Sequence, residues 1–192
     1  MRLVQTSLPE VVIVEPAAFG DERGWFFESW SQPKMDAALA ALGLPAPRPF
    51  VQDNHSCSRA GVLRGLHYQL PPHPQGKLVR VVRGAAWDVA VDIRRGSPTF
   101  GRWAAALLTA DNRRQLWVPE GFAHGFLALQ DDTHFLYKTT DVYARDCERA
   151  LRWDDPALAI AWPLAPGQAP SLAPKDAAAP LLGQAELPPY NG

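Results

Sequence analysis

The chain is poor in the residues from which covalent scaffolds, membrane spans and nucleic-acid surfaces are built. Cys57 and Cys147 are its only cysteines, and neither lies in a Cys-x-x-Cys. Both fit free thiols in a reducing compartment, the ordinary alternative being two small buried side chains. No run approaches the ~20 apolar residues that a spanning helix needs, and Met1 to Glu15 lacks the basic start and apolar stretch of a signal segment. A soluble, cytoplasmic chain with no membrane contact is the expectation. Acidic and basic residues balance at 20 and 19, so no basic surface for nucleic acid is expected either. There is no Gly-x-Gly-x-x-Gly segment to hold a dinucleotide. What is present is ample apolar material, 47% of 192 residues. That suits one domain, 1–192, in which 163–192 form a Pro/Ala-rich tail that wraps the rest.

Most of the chain reads as short strands. Val11–Val14, Trp25–Trp30 and Phe50–Gln52 are β-branched or aromatic runs bounded by Pro, Gly or Asp. Lys77–Val82 and Ala86–Ile93, separated by Arg83-Gly84, predict a hairpin with glycine at positive φ. Trp87, Val89 and Val91 alternate with Asp88, Ala90 and Asp92, which predicts one buried face. Arg102–Thr109, Gln115–Val118, Phe122–Leu129 and His134–Thr139 continue the pattern. One helix is expected over Met35–Leu42, capped by Ser31, with Pro33 in its first turn and Gly43 as its stop. A second short helix is expected near Ala177–Leu182. Many short strands with Gly/Pro turns predict an all-β sandwich or barrel.

Two motifs carry chemistry. Pro119, Gly121 and His124 reproduce the second motif of metal-binding cupins, Pro-x-Gly-x-x-His. In the first motif, where those proteins carry His-x-His, this chain reads His67-Tyr68-Gln69. Loss of that imidazole turns the reading from metal chemistry to acid–base chemistry. Arg64, Lys77 and His124 stand in otherwise apolar strands, and burying several such groups is costly unless they line a cavity. Arg64 and His67 are three positions apart, so both reach one cavity only if the strand bulges, which Gly65 permits. Each has an ordinary reading as well. His67 and His124 could be core histidines, Lys77 a solvated strand start, Tyr137 a core ring, and Asp21-Glu22-Arg23-Gly24 a charged turn.

Taken together the segments resemble the dTDP-4-dehydrorhamnose 3,5-epimerase family from about Phe19 to Asp176. The resemblance rests on Asp21-Glu22-Arg23-Gly24, Gln52-Asp53-Asn54, Leu63 to His67, Gln75 to Leu78, Asp92-Ile93-Arg94, Ser97 to Gly101, Pro119 to Phe126 and Trp153 to Pro156. It implies a double-stranded β-helix, or jelly roll, and a homodimer with an exchanged N-terminal strand. It also implies a dTDP-sugar substrate, no cofactor and no metal. The family's base falls on His67, its acid on Tyr137, and the carboxylate that pairs with the base on Asp176. Lys77 is the candidate donor to the developing C4 oxyanion. Substrate contacts fall on Arg23, Glu28, Gln52, Asn54, Arg64, His124, Glu148 and Lys175. The chain departs from the family's Leu-Ser-x-Lys-Asp with Leu172-Ala173-Pro174-Lys175-Asp176, and from its Gly-Glu-Val with Gly84-Ala85-Ala86.

The expected reaction is epimerisation at C3 and C5 of dTDP-4-dehydro-6-deoxy-D-glucose to dTDP-4-dehydro-L-rhamnose, a step of dTDP-rhamnose and cell-surface polysaccharide biosynthesis. A relative acting at C3 or C5 alone shares the same His, Lys and Tyr. A sugar-nucleotide-binding protein without turnover would need no base opposite an acid, and a metal cupin would not carry Gln69.

Overall fold

The computed structural model describes residues 1–190. The strands fall into two main sheets. One has six strands in the order β1-β2-β10-β7-β12-β5, the other five in the order β13-β6-β11-β8-β9. In sequence these are β1 Arg2–Gln5, β2 Val12–Glu15, β3 Ala18–Asp21, β4 Gly24–Phe27, β5 Gln52–Ser58, β6 Leu63–Gln69 and β7 Lys77–Arg83. They continue as β8 Ala85–Asp92, β9 Trp103–Thr109, β10 Gln115–Val118, β11 Phe122–Ala128, β12 Thr133–Thr139 and β13 Glu148–Ala150. Every pairing between these strands is antiparallel. The result is a jelly roll of cupin type.

Three apolar layers hold it together. Between the sheets lie Val79, Val81, Leu116, Phe122, Phe126 and Phe135. Outside the six-stranded sheet, Met35 and Leu39 of helix α1, Gln32–Ala40, pack on Val12, Val14, Leu78 and Trp117. Outside the five-stranded sheet, Leu151, Leu158, Leu182 and Ala185 pack on Leu66, Val89, Val91 and Ile93. This outer layer overturns the expectation of one buried face on β8. Asp88, Ala90 and Asp92 are as fully buried as Val89 and Val91, because β8 is internal to its sheet and covered on both sides.

The hairpin expected at Arg83-Gly84 is also corrected. Gly84 does take φ +78, but β7 and β8 belong to different sheets. The glycine turns the chain at a corner, where an added Cβ would meet the Thr133 hydroxyl at 2.6 Å. Phe50 packs against Trp30 and Trp117 rather than joining a strand, and β5 instead runs on to Ser58. Ser31 stands at the helix N-cap without a side-chain hydrogen bond. The run Trp25–Trp30 shortens to Gly24–Phe27, which pairs only with β3 in a two-stranded hairpin. In place of a helix over Ala177–Leu182 there are helix α2, Pro174–Ala177, and a 3₁₀ turn, Leu182–Gln184. Both cysteines are free, yet Cys57 is exposed and Cys147 half-buried.

Candidate active site

The interior layer opens at one end into a cavity of about 420 Å³. Phe126 and Phe135 belong both to that layer and to the cavity wall. The expected bulge is present on β6. His67 pairs with His124 and Arg64 with Phe126, so two residues of β6 oppose Gly125 alone. Gly65 sits in this bulge at φ +125, and a Cβ there would lie 2.5 Å from the Gly125 Cα. The close approach lets Arg64 and His67 line one cavity.

His67 is half-buried, with a ring nitrogen 2.6 Å from Oδ1 of Asp176. A carboxylate can only accept, so the nitrogen facing it carries the proton and the other keeps its lone pair. Asp176 is itself buried and also accepts from the Gly65 N–H at 3.4 Å. Burial pushes its carboxyl up, but the hydrogen bond and charge of His67 outweigh that and hold it below the ordinary range. Pro174 opens the short α2 that delivers Asp176, so the Ala173-Pro174 departure preserves this contact.

Lys77 is buried, against its reading as a solvated strand start, and donates to the His67 carbonyl at 3.2 Å. Burial pulls its pKa down to about 8, against the opposing pull of Asp88 and Glu148. His124 is paired with a carboxylate. It lies 3.0 and 3.1 Å from the two oxygens of Asp88, whose carboxyl is pushed up by burial against the charge of His124 and Lys77. Tyr137 enters from β12, in the sheet opposite His67, and burial raises its phenol. The two therefore approach the cavity from opposite sides.

At the mouth, Arg64 donates to Ser58 Oγ and the Cys57 carbonyl. Lys175 pairs with Glu148 at 2.8 Å. The other carboxylate oxygen of Glu148 accepts from the Tyr143 hydroxyl at 3.0 Å. Burial raises Glu148, but its hydrogen bonds to Lys175 and Tyr143 bring it below its ordinary value. Ser56 Oγ is buried on the cavity wall without a partner, an atom that a bound hydroxyl would satisfy.

Eight of the expected site residues thus line the cavity: His67, Tyr137, Asp176, Lys77, Arg64, His124, Glu148 and Lys175. Asn54 stands directly across the ladder from Tyr137, and Gln52 donates to Asn54 Oδ1 at 2.9 Å. Arg23 and Glu28 are not brought to this cavity. Arg23 is exposed at the tip of the β3–β4 hairpin and pairs with Asp21, while Glu28 pairs with Lys34. Asp88, Ser56 and Tyr143 are missing from the sequence reading. Asp88 was hidden in an alternating run that made it look solvent-facing, and Tyr143 lies between β12 and β13 in a segment with no periodicity.

The model of the family described as dTDP-4-dehydrorhamnose 3,5-epimerase matches residues 5–184. The chain is 51% identical to the dTDP-4-dehydrorhamnose 3,5-epimerase of Salmonella typhimurium, over 97% of this chain and 98% of that one. Its fold superposes with a TM-score of 0.91 on the dTDP-6-deoxy-D-glucose-3,5-epimerase of Legionella pneumophila Philadelphia 1 in complex with dTDP-4-keto-L-rhamnose, at 48% identity over 100% and 99% of the two chains. With a 3'-monoepimerase of Streptomyces bikiniensis in complex with dTDP-quinovose the TM-score is 0.85, at 36% identity over 99% and 93%.

Proposed function

The chain belongs to the dTDP-4-dehydrorhamnose 3,5-epimerase family, and on that premise we infer that it is an isomerase inverting C3 and C5 of dTDP-4-dehydro-6-deoxy-D-glucose to give dTDP-4-dehydro-L-rhamnose. The observation that carries this reading is the opposition of His67 on one sheet to Tyr137 on the other, with the buried Lys77 lining the same cavity.

The C4 ketone acidifies the hydrogens on its two neighbouring carbons. A free imidazole titrates near ~6.5, suited to removing such a proton near neutrality. His67 takes it, and Asp176 fixes the tautomer and stabilises the imidazolium that forms. Charge then develops on the C4 oxygen, where the buried Lys77 ammonium stabilises the enolate. Tyr137 returns a proton to the opposite face, so the carbon is inverted. Once His67 has released its proton to solvent and Tyr137 has regained one from it, the same events invert the second carbon. No electron leaves the sugar, so the reaction needs no redox cofactor.

Arg64, Lys175, Glu148, Asn54, Gln52 and His124 hold the substrate in this reading, with the forked guanidinium of Arg64 suited to diphosphate. The half-exposed Tyr143 ring at the mouth offers a face for the thymine. Arg23 and Glu28 act in a second copy of the chain. Their hairpin pairs with no other strand among the described residues, and it exposes Phe19, Trp25 and Phe26 at 67%, 60% and 71%. Such an apolar projection is expected to be covered in a homodimer. We read 1–192 as one domain acting in the cytoplasm, ahead of a reductase that supplies deoxysugar for cell-surface polysaccharide. No helix among the described residues is long and apolar enough to cross a membrane.

Incubation with the keto-sugar nucleotide in deuterated water tests this reading, with NMR of the product. Deuterium at both C3 and C5 is expected. Deuterium at one carbon would favour the single-site reaction of the 3'-monoepimerase relative, and none at either would refute an epimerase.

A further inference from the structure

The segment Asp141–Ala144, just before the 3₁₀ turn Arg145–Cys147, is held in an unusual way. It has no strand pairing, and its two large side chains point outward, Val142 at 48% and Tyr143 at 53% exposure. No core burial fixes it, and a loop so made is ordinarily the first part of a fold to open. Yet each of its backbone positions is gripped by a side-chain amide from elsewhere. Gln75 donates to the Asp141 carbonyl at 2.8 Å. Gln69 donates to the Val142 carbonyl at 3.2 Å and accepts the Ala144 N–H at 2.9 Å. Gln52 accepts the Tyr143 N–H at 2.9 Å.

We propose that Gln52, Gln69 and Gln75 form a clamp that fixes Asp141–Ala144 as a rigid wall of the cavity, and that Gln69 and Gln75 are thereby positioning residues for the nucleotide sugar. Gln69 is its centre. It is 5% exposed, and its amide also donates to the His73 carbonyl at 2.6 Å, so both donors and one acceptor site of the side chain go to backbone. Only a carboxamide offers donor and acceptor side by side in the way a peptide group does. A histidine here would present one nitrogen to the cavity instead. The residue that stands where metal-binding cupins place their second histidine has thus been given a different task, holding a loop in place of an ion.

The wall it fixes bears on the ligand. Tyr143 and Glu148 both line the cavity, the Tyr143 hydroxyl donates to Glu148, and Glu148 pairs with Gln69 across the β13–β6 ladder. If the loop opens, the aromatic face at the mouth and the Tyr143 hydroxyl's bond to Glu148 lose their fixed place together. His67, Lys77 and Tyr137 sit on strands and do not. The clamp should therefore govern binding and leave the chemical step nearly untouched, because a bound population still meets the same base and acid.

The part of this inference that concerns affinity rests on the epimerase reading, and the test keeps the two apart. Gln69→Met preserves length and removes all three hydrogen bonds, and Gln75→Met removes one. For Gln69→Met, KM for the keto-sugar nucleotide and Kd for dTDP alone are expected to rise about tenfold, with kcat within about threefold of the parent. Gln75→Met should move the same way by less, and it carries the test if Gln69→Met does not fold. Amide hydrogen exchange, read by mass spectrometry without any ligand, should quicken in 141–148 and stay unchanged in β6 and β11. A fall in kcat at constant KM would overturn the proposal, as would unchanged exchange in 141–148 or exchange quickened throughout the chain. A parent protein that neither binds dTDP nor turns over would instead refute the epimerase reading and the affinity claim, leaving the loop's exchange to decide the clamp.

Discussion

His67 and His124 face each other across the β6–β11 ladder, and each has a carboxylate within hydrogen-bonding distance. Their surroundings differ. The His67 side chain is 24% exposed and its partner Asp176 arrives from the far end of the chain, whereas His124 is 9% exposed and Asp88 lies wholly buried on the next strand. The carboxyl of Asp176 is held below its ordinary range and that of Asp88 is pushed above it. An imidazole that opens on a cavity and is backed by an ionised carboxylate can take up a proton. One sealed beside a carboxyl that burial drives toward neutrality is better suited to a fixed hydrogen bond. In the proposed mechanism identical residue types thus make a base in one place and, held by Asp88, a fixed contact on the cavity wall in the other.

The largest expected effect separates the two histidines. His67→Asn should lower deuterium exchange at both sugar carbons by about 10²–10⁴-fold, while His124→Asn should cost about tenfold and act chiefly through KM. Equal losses in an NMR exchange assay would erase the distinction. Next comes the acid. Tyr137→Phe should lower inverted product by about 10²-fold yet retain washout of substrate deuterium, since His67 still works on its own face. Equal loss of both signals would make Tyr137 a positioning group.

Smaller again is the contrast between the carboxylates. Asp176→Asn should lower kcat by about 10²-fold through the wrong tautomer of His67, and Asp88→Asn by less than about tenfold, measured at neutral pH. The reverse order would show that the buried pair holds the base. The smallest effect is on pH. Lys77 must be charged to stabilise the enolate, so kcat/KM should fall as pH rises through about 8. Asp88 helps hold that charge, and Asp88→Asn should move this limb to lower pH. Stability goes the other way. The Lys77 value in the fold lies below its ordinary 10.5, so the unfolded chain binds the extra proton between those values. Stability should therefore rise with pH in that window, which calorimetry can follow.

The sequence made the strands and the two histidines legible, because period-two runs and the Pro-x-Gly-x-x-His spacing are local. It misread whatever depended on what covers a strand. Asp88 looked like the polar side of a half-exposed strand, because nothing in Ala86–Ile93 reveals that Leu151, Leu158 and Leu182 lie over the other face. Arg83-Gly84 carries the same turn chemistry whether the chain folds back or crosses to another sheet. Asp176 was reachable only through the family resemblance, since no local pattern links it to His67. Arg23 and Glu28 came from the same source, and this chain alone does not bring them to its cavity.

The carboxylate that orients His67 stands 109 positions after it. At a synthesis rate of ~5–20 residues per second, His67 is made about 5–20 s before Asp176, and the end of β12 about 2–7 s before it. Only through that shorter interval can the nascent protein hold the cavity strands with His67 unpaired. In the proposed mechanism a chain that stopped before Asp176, even one that had closed its sheets, would lack the group that orients His67.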